Sequence, residues 1–315
     1  MSTTRAGVLG ICGVCLFWVT GCASGPYEYG QGWRNSPPVD CEAGSESTPQ
    51  ICEGEPNKFI DGVGWVLGIP GKVLLWDRRV NNHDVSDDTT EAVTCYIEEN
   101  QLQDVCVRVN QYAPGEEWRR LRDNENVSAG WRYTLGTMSL IGYTLIPGRL
   151  IGGDHYNPYT NSVYVYSDVP ALAIQAAAYA KDVQSRTHPG TYAAVNQLPL
   201  VSIWHETINT NDALVYARAT GDYELDAEAV RILHPYYGMR VGGALGSVAG
   251  PQSLMVVGGA VAGHISGWVN EPREPAAAES EDPGEFATAS ISKITRPNAT
   301  LQSGAIVRGQ QMDSK

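Results

Sequence analysis

The chain has 315 residues, of which 43% are hydrophobic and 18% charged, so it can bury a core and a wholly disordered chain is excluded. Its formal net charge of −13 argues against a nucleic-acid-binding protein, because no basic excess is present to neutralise phosphates. The mean hydropathy of −0.23 excludes a protein built mainly of membrane spans.

The N-terminus has the layout of an export signal. Arg5 precedes an apolar stretch over residues 6–19, which is too short and too rich in glycine for a good transmembrane helix. The stretch ends in the letters VTGC at Cys22, which resembles the lipobox of bacterial lipoproteins, where a lipidated cysteine becomes the new N-terminus. The resemblance implies a signal peptide over residues 1–21 and a lipid on Cys22.

A lipid at this position implies a location in the bacterial cell envelope. Several acyl chains would anchor the chain firmly, since each buried CH₂ contributes about 0.8 kcal/mol. Ala23 follows the cysteine, and by the sorting rules of bacterial lipoproteins the absence of aspartate there implies the outer membrane, facing the periplasm. The alternative is an ordinary signal peptide that happens to end near a cysteine.

Four of the seven cysteines lie beyond the predicted anchor, and an even number in an exported chain predicts disulfides. These are Cys41, Cys52, Cys95 and Cys106. Three pairings exist, and the simplest joins the first to the second and the third to the fourth, because each such pair encloses ten residues. The third cysteine falls in a predicted helix over residues 90–100, and the fourth in a predicted strand over residues 104–111. Neither pair has the short spacing of a zinc site.

The first half of the mature chain divides into a tether and a folded region. Residues 22–57 are rich in glycine, proline, serine and glutamate and predict a lipid-anchored tether. Residues 58–75 are apolar and interrupted by glycines, which favours a helix lying on the membrane or on the body of the protein. Residues 116–126 predict a charged helix.

The centre of the chain predicts a strand followed by helices. Residues 161–167 alternate, with Val163 and Val165 on one face and tyrosines on the other, which is typical of a strand. Asp168 is the predicted N-cap of a helix over residues 171–185, with Pro170 in its first turn.

Two further helices are predicted beyond this one. A longer helix is expected over residues 191–220, with an interruption at Pro199. A short helix is expected over residues 226–233.

The region after residue 240 has a different composition. Residues 241–268 carry no formal charge and contain glycines at every fourth position on both sides of Pro251, a spacing that lets helix backbones approach closely. Ten residues before the proline are fewer than the roughly 20 that span a bilayer. We therefore predict a Gly-rich apolar helical hairpin over residues 241–270, buried or lying on the bilayer, and a disordered tail over residues 271–315.

A strand, a turn and a helix at residues 161–185 form the frame in which zinc peptidases of the H-E-x-x-H type place their motif. Two histidines one helical turn apart bind the metal in such enzymes, and the glutamate after the first deprotonates the bound water. In this chain Gln175 and Tyr179 share one helical face four residues apart. A second helix usually supplies the third ligand, and Glu206 is placed for that role.

The flanking sequence resembles an uncharacterised group of bacterial envelope proteins over roughly residues 62–243. The stretches that carry the resemblance are residues 73–86, 107–121, 130–170 and 180–182. Other members of that group read H-E-G-G-H-A-K-D where this chain reads Q-A-A-A-Y-A-K-D, from Gln175 to Asp182.

The resemblance implies a degenerate zinc site. Gln175 stands in place of the first histidine, Ala176 of the glutamate and Tyr179 of the second histidine, and only Glu206 keeps its type. Glutamine and tyrosine are poor zinc ligands, and alanine cannot act as a base, so metal-assisted hydrolysis is not expected.

The fold class expected from the pattern and the resemblance is α+β. It consists of a small sheet with several helices and a zincin-like core, within a peptidase-like domain over residues 58–240. The function implied is a non-catalytic envelope scaffold without cofactor, with a cleft lined by Gln175, Tyr179 and Glu206. Its expected partners are the membrane, through the lipid anchor, and another envelope protein, with no nucleic-acid partner.

Three alternatives stay open at this point. Ala176 and its alanine neighbours favour, on their own, close packing of a neighbouring helix. An active hydrolase could use a relocated metal site built from Asp154, His155, His205 and Glu206. A membrane-structuring protein could act through the hairpin alone.

Overall fold

The computed structural model describes residues 27–30, 50–55, 57–146 and 148–273. Within them the protein is α+β and mostly helical with one small mixed sheet, which confirms the fold class at that level. The strands are β1 (Gln50–Glu53), β2 (Cys106–Val109), β3 (His155–Asn157) and β4 (Ser162–Val165). The predicted signal peptide, Cys22, Cys41 and the tail beyond residue 273 lie outside the described residues.

The helices surround the sheet in chain order. They are α1 (Lys58–Leu67), α2 (Ile69–Leu75), α3 (Asp87–Glu99), α4 (Pro114–Asp123), α5 (Ala129–Trp131) with a π-helical continuation (Arg132–Gly136), α6 (Thr137–Leu145), α7 (Gly148–Ile151), α8 (Pro170–Gln184), α9 (Pro189–Val195), α10 (Pro199–Ala219), α11 (Tyr223–Ala249) and α12 (Gln252–Asn270).

The sheet has the strand order β1-β2-β4-β3, so β3 is an edge strand. β1 pairs parallel to β2 and β2 parallel to β4, whereas β3 runs antiparallel to β4. Val163 and Val165 belong to the hydrophobic core, and Tyr164 lies on the opposite face, as the alternation predicted.

The face of the sheet opposite the core carries a buried cluster of polar side chains. Arg108 of β2 forms an ion pair with Glu117 of α4, with 2.5 Å between the guanidinium Nε and the carboxylate. The hydroxyls of Ser162 and Tyr164 donate to the same carboxylate, at 2.9 and 2.5 Å. Charges buried without partners would be costly, so this cluster fixes α4 against the sheet.

Helix α8 is the centre of the core. It contacts β3, β4, α3, α10 and α11, and nearly all its side chains are buried. Pro170 occupies its first turn as predicted, because proline has no amide hydrogen to lose there. The predicted N-cap was wrong: Asp168 accepts hydrogen bonds from Ser86 and Thr89 at the start of α3 instead.

The helices that follow agree with the prediction up to Pro199 and then differ. The interruption at Pro199 is present, with α9 before it and α10 beginning at it. The short helix expected over residues 226–233 is wrong, because α11 continues through Pro235. Proline removes a backbone hydrogen bond, but here it is buried against the backbone of Gly263 in α12, and this packing supports the longer helix.

Helices α11 and α12 form an antiparallel hairpin that meets through glycines. A Cβ atom placed on Gly238 or Gly259 would overlap the other residue's carbonyl oxygen, and one on Gly242 would overlap that of Met255. The two backbones therefore approach as closely as small residues allow. Among the described residues, no helix is both long and apolar enough to cross a membrane.

Two of the cysteines lie side by side, and they are not a pair that we predicted from their spacing in the sequence. The sulfur atoms of Cys52 in β1 and Cys106 in β2 lie 3.8 Å apart on adjacent strands. Cys95 lies in α3, in the helix predicted for it. The sheet therefore brings together two cysteines that sequence separation had assigned to different pairs, because parallel pairing joins residues that are distant in the chain.

Part of the predicted tether belongs to the folded body. β1 is a strand of the sheet, and the segment from Tyr27 to Gly30 packs on α10. The Tyr27 hydroxyl and the Gly30 amide both donate to Asp212. Asp212 also pairs with Lys181 at 2.9 Å, and both side chains are fully buried. The region rich in glycine and proline is thus held at two points rather than extended throughout.

The hairpin allows a direct test of its close contact. Gly259→Ala should lower the free energy of unfolding by at least about 2 kcal/mol, because its methyl group meets backbone that cannot move aside. Gly258→Ala is the matched control in the same helix, where nothing lies within 4 Å of the new methyl group. We expect it to be neutral or to stabilise by up to about 1 kcal/mol. Chemical denaturation of the two variants measures the difference, and equal effects would contradict the close packing.

Candidate functional site

Helices α8 and α10 bring together Gln175 and Glu206, two of the residues predicted to occupy the positions of zinc ligands. The Gln175 amide nitrogen donates to a carboxylate oxygen of Glu206 at 3.2 Å. Both side chains are buried. The first and third positions of the expected metal site therefore lie side by side, although they are 31 residues apart in the sequence.

The second carboxylate oxygen of Glu206 is occupied by an arginine that sequence reasoning did not identify. Arg240 of α11 places both Nε and Nη2 at 2.5 Å from this oxygen. The arginine side chain is half-exposed, whereas the glutamate is buried. The charge of Glu206 is thus balanced by a guanidinium group, and its two oxygens are both used.

The residues present do not fit a zinc ion. Gln175 offers an amide, Ala176 offers no donor atom, and the one carboxylate is paired with Arg240. Zinc prefers imidazole, thiolate and free carboxylate ligands in a tetrahedral set. No hydrolytic step through a metal can be derived from these side chains.

Tyr179 lies one helical turn after Gln175 and contacts the neighbouring histidine of α10. Its ring stacks on His205 with 4.5 Å between centroids, and it meets the edge of Tyr156 at 5.6 Å. His205 also exchanges a hydrogen bond with Asn209 at 3.2 Å. Burial lowers the pKa of His205 to about 4, so the imidazole is neutral at pH 7 and packs as an aromatic ring.

A cleft of about 690 Å³ opens over these rings. Tyr179, His205 and Arg240 line it, as do residues of β3, α9, α10 and both helices of the hairpin. Gln175 and Glu206 do not line it. The expectation that all three residues line one cleft therefore holds only for Tyr179, because Gln175 and Glu206 are buried and bonded to each other.

Two polar residues stand out in the cleft lining. Asn196 is only 3% exposed, and its amide interacts with the hydroxyls of Tyr179 and Tyr192. Among the described residues that line the cleft, Arg240 is the only one that is charged at pH 7.

The relocated metal site is not assembled. Asp154 accepts backbone hydrogen bonds from Tyr166 and Ser167 at 2.5 and 3.0 Å, and burial raises its pKa to about 6. His155 is exposed in β3, where its ring stacks on Tyr164. Across the described ranges, no three histidine, cysteine, aspartate or glutamate side chains converge as metal ligands.

Comparison with protein-family models, with curated proteins and with solved structures gives no significant match. The sequence indicated Gln175, Tyr179 and Glu206 but missed Arg240 and Asn196. No local pattern marks those two residues, because only the packing of α9 and α11 brings them to the cleft.

The lowered pKa of His205 predicts a pH dependence of stability. Between about pH 6.5 and pH 4 the unfolded chain takes up a proton that the folded imidazole does not, so stability falls as the pH falls. Relative to His205→Gln, the wild type should lose about 2 to 3 kcal/mol across this interval, at about 1.4 kcal/mol per pKa unit. Thermal denaturation at a series of pH values measures this difference. His188→Gln, at an exposed position, should show the same pH dependence of stability as the wild type. If His188→Gln reduced that pH dependence as much as His205→Gln does, burial of His205 could not be its cause.

Proposed function

We propose that this protein is a lipid-anchored component of a bacterial envelope. In this proposal it keeps a zincin-like arrangement of β4, α8 and α10 but performs no hydrolysis. Its cleft binds an extended peptide segment of another envelope protein, and binding rather than chemistry is its activity.

The arrangement of α8 and α10 supports the zincin-like part of the proposal. Two donor atoms on a tetrahedral zinc ion lie about 3.3 Å apart when each is 2.0–2.1 Å from the metal. The Gln175 amide nitrogen and the Glu206 oxygen are hydrogen-bonded at 3.2 Å, so side chains at these two positions are close enough to share a metal ion. Arg240 then supplies positive charge beside the carboxylate.

The observation that carries the binding role is the edge strand β3 in the wall of the cleft, next to the amide of Asn196. β3 is the outer strand of the sheet, and its residues His155, Tyr156 and Asn157 line the same cleft. An edge strand offers backbone groups to an extended peptide, and an amide side chain can donate to and accept from a peptide bond. Arg240 favours a segment with a carboxylate group.

Placing histidines at positions 175 and 179 tests the proposed zincin-like arrangement of α8 and α10. Gln175→His with Tyr179→His should bind about one zinc ion per chain, with Glu206 as third ligand, because histidines one turn apart on a helix can share a metal. The wild type should bind none. Metal analysis after dialysis against zinc gives the stoichiometry, and circular dichroism shows whether the variant is folded.

The matched control adds Glu206→Gln to the two histidines and should lose most of the zinc. A folded double variant that binds no zinc would refute the zincin-like arrangement. Zinc binding that does not depend on Glu206 would refute it equally.

The binding role is tested by photo-cross-linking in intact cells. A photoreactive residue at Ser139, an exposed position in the cleft lining, should give a discrete adduct, whereas one at the exposed Ser128 outside the cleft should not. Asn196→Leu and Arg240→Gln should each reduce the adduct several-fold. Arg231→Gln, an exposed arginine of the same helix, should leave it unchanged. Equal adducts in all variants would refute peptide binding at this cleft.

A further inference from the structure

The outward face of α12 is a continuous strip of large apolar side chains. Leu254, Val257, Val261, Ile265 and Trp268 follow one another at spacings of three and four residues, which places them on one side of the helix. All of them are exposed: Leu254 is 67% and Trp268 62% accessible. At 1.5 Å per residue the strip is about 21 Å long.

The strip continues beyond α12 on both sides. On one side Trp76, which follows α2, stacks on His264 at 4.0 Å and lies 5.9 Å from Trp268, and it is itself mostly exposed. On the other side an apolar groove of about 770 Å³ runs between α10 and the hairpin, with Leu214, Leu245 and other apolar residues in its walls. We call the strip, Trp76 and the groove together the apolar face.

The hairpin is arranged in the reverse of the usual pattern for a protein in water. Its small residues, such as Gly238, Gly259 and Gly263, lie between the helices, and its large apolar residues point outward. In water, large apolar residues normally fill the contact between helices, because their burial stabilises the fold. In lipid there is no such gain, and helices associate through close contact of small residues.

Charge and chain position also favour a lipid surface. Residues 241–268 contain no charged side chain at pH 7. The segment beginning at Tyr27 is held on the folded body at Asp212 of α10. Cys22 precedes Tyr27 by five residues, a reach of at most about 18 Å. An anchor at Cys22 would therefore keep the bilayer close to the folded body.

We propose that the apolar face docks on a lipid bilayer, with α12 lying in the plane of the membrane surface. The helix does not cross the bilayer, in keeping with its length and composition. Its apolar side enters the boundary between headgroups and acyl chains, and Trp76 and Trp268 sit at the interface that tryptophan prefers. This attachment is additional to the lipid anchor and goes beyond the peptide-binding role.

Quenching of tryptophan fluorescence by brominated lipid tests this docking. The full-length protein is purified from membranes and reconstituted in vesicles of phosphatidylcholine, with or without bromine on the acyl chains. Bromine should quench part of the emission, and Trp268→Phe should remove a clear share of that quenched component. Trp118→Phe, at a tryptophan in α4 outside the apolar face, should not.

Two double substitutions to glutamate, one inside the strip and one outside it, give a matched comparison. Val261→Glu with Ile265→Glu places charge in the middle of the strip and should abolish the quenching assigned to Trp268. Met138→Glu with Leu145→Glu, at positions of α6 that are 69% and 75% exposed, should leave it intact. Circular dichroism establishes that both variants are folded.

Two results would overturn the proposal. One is a quenched component that does not change with Trp268→Phe. The other is a Trp268 shielded from bromine in a protein that cross-links as a dimer through α12, since a second copy would then cover the face. Either result leaves the zinc and photo-cross-linking tests of the cleft unaffected, because those tests do not use α12's outward side.

Discussion

The structure depends on the buried ion pair between Lys181 of α8 and Asp212 of α10. Both side chains are completely buried, and charges in such a place are tolerated only when they are paired and hydrogen-bonded. Gln175 and Glu206 form a second polar pair between the same helices. The separation in sequence is 31 residues in both pairs, so the two helices run in the same direction and are held in one register. A slip of either helix would leave two buried groups on each without partners.

This register also fixes the contact between Gln175 and Glu206. The distance between these two side chains is set by the helices and by the Lys181–Asp212 pair six residues further along. The remaining need of the site is a positive charge for Glu206, and Arg240 meets it from α11. Because the guanidinium also reaches the cleft, the same residue that balances the buried carboxylate offers charge to a ligand.

The sequence predicted those features of the fold that follow from local periodicity. The alternation in residues 161–167 gave β4 with the correct faces, and Pro170 and Pro199 marked the starts of α8 and α10. Each error arose from a contact between residues distant in the chain. Asp168 bonds to α3 rather than capping α8, and Cys52 meets Cys106 across two parallel strands.

In the candidate site, too, the sequence did not predict contacts between residues that are distant in the chain. Gln175, Tyr179 and Glu206 were predicted only because the flanking sequence resembles proteins with an H-E-x-x-H motif. Arg240 and Asn196 could not, since they reach the cleft only through the packing of α11 and α9 against α8 and α10. The helix predicted over residues 226–233 was too short for a related reason: the glycine of α12 that packs against Pro235 is 28 residues away in the sequence.

The hairpin links the cleft to the apolar face. Arg240 lies in α11 between Gly238 and Gly242, the residues through which α11 contacts α12. Val256 and Gln252 of α12 line the cleft, while Val257 and Leu254, their neighbours in sequence, belong to the outward side. Because the backbones of the two helices are already in contact, α12 cannot move toward α11 to accommodate a ligand or a bilayer. A shift of α12 must therefore either carry Arg240 with it or open the glycine contact between the two helices.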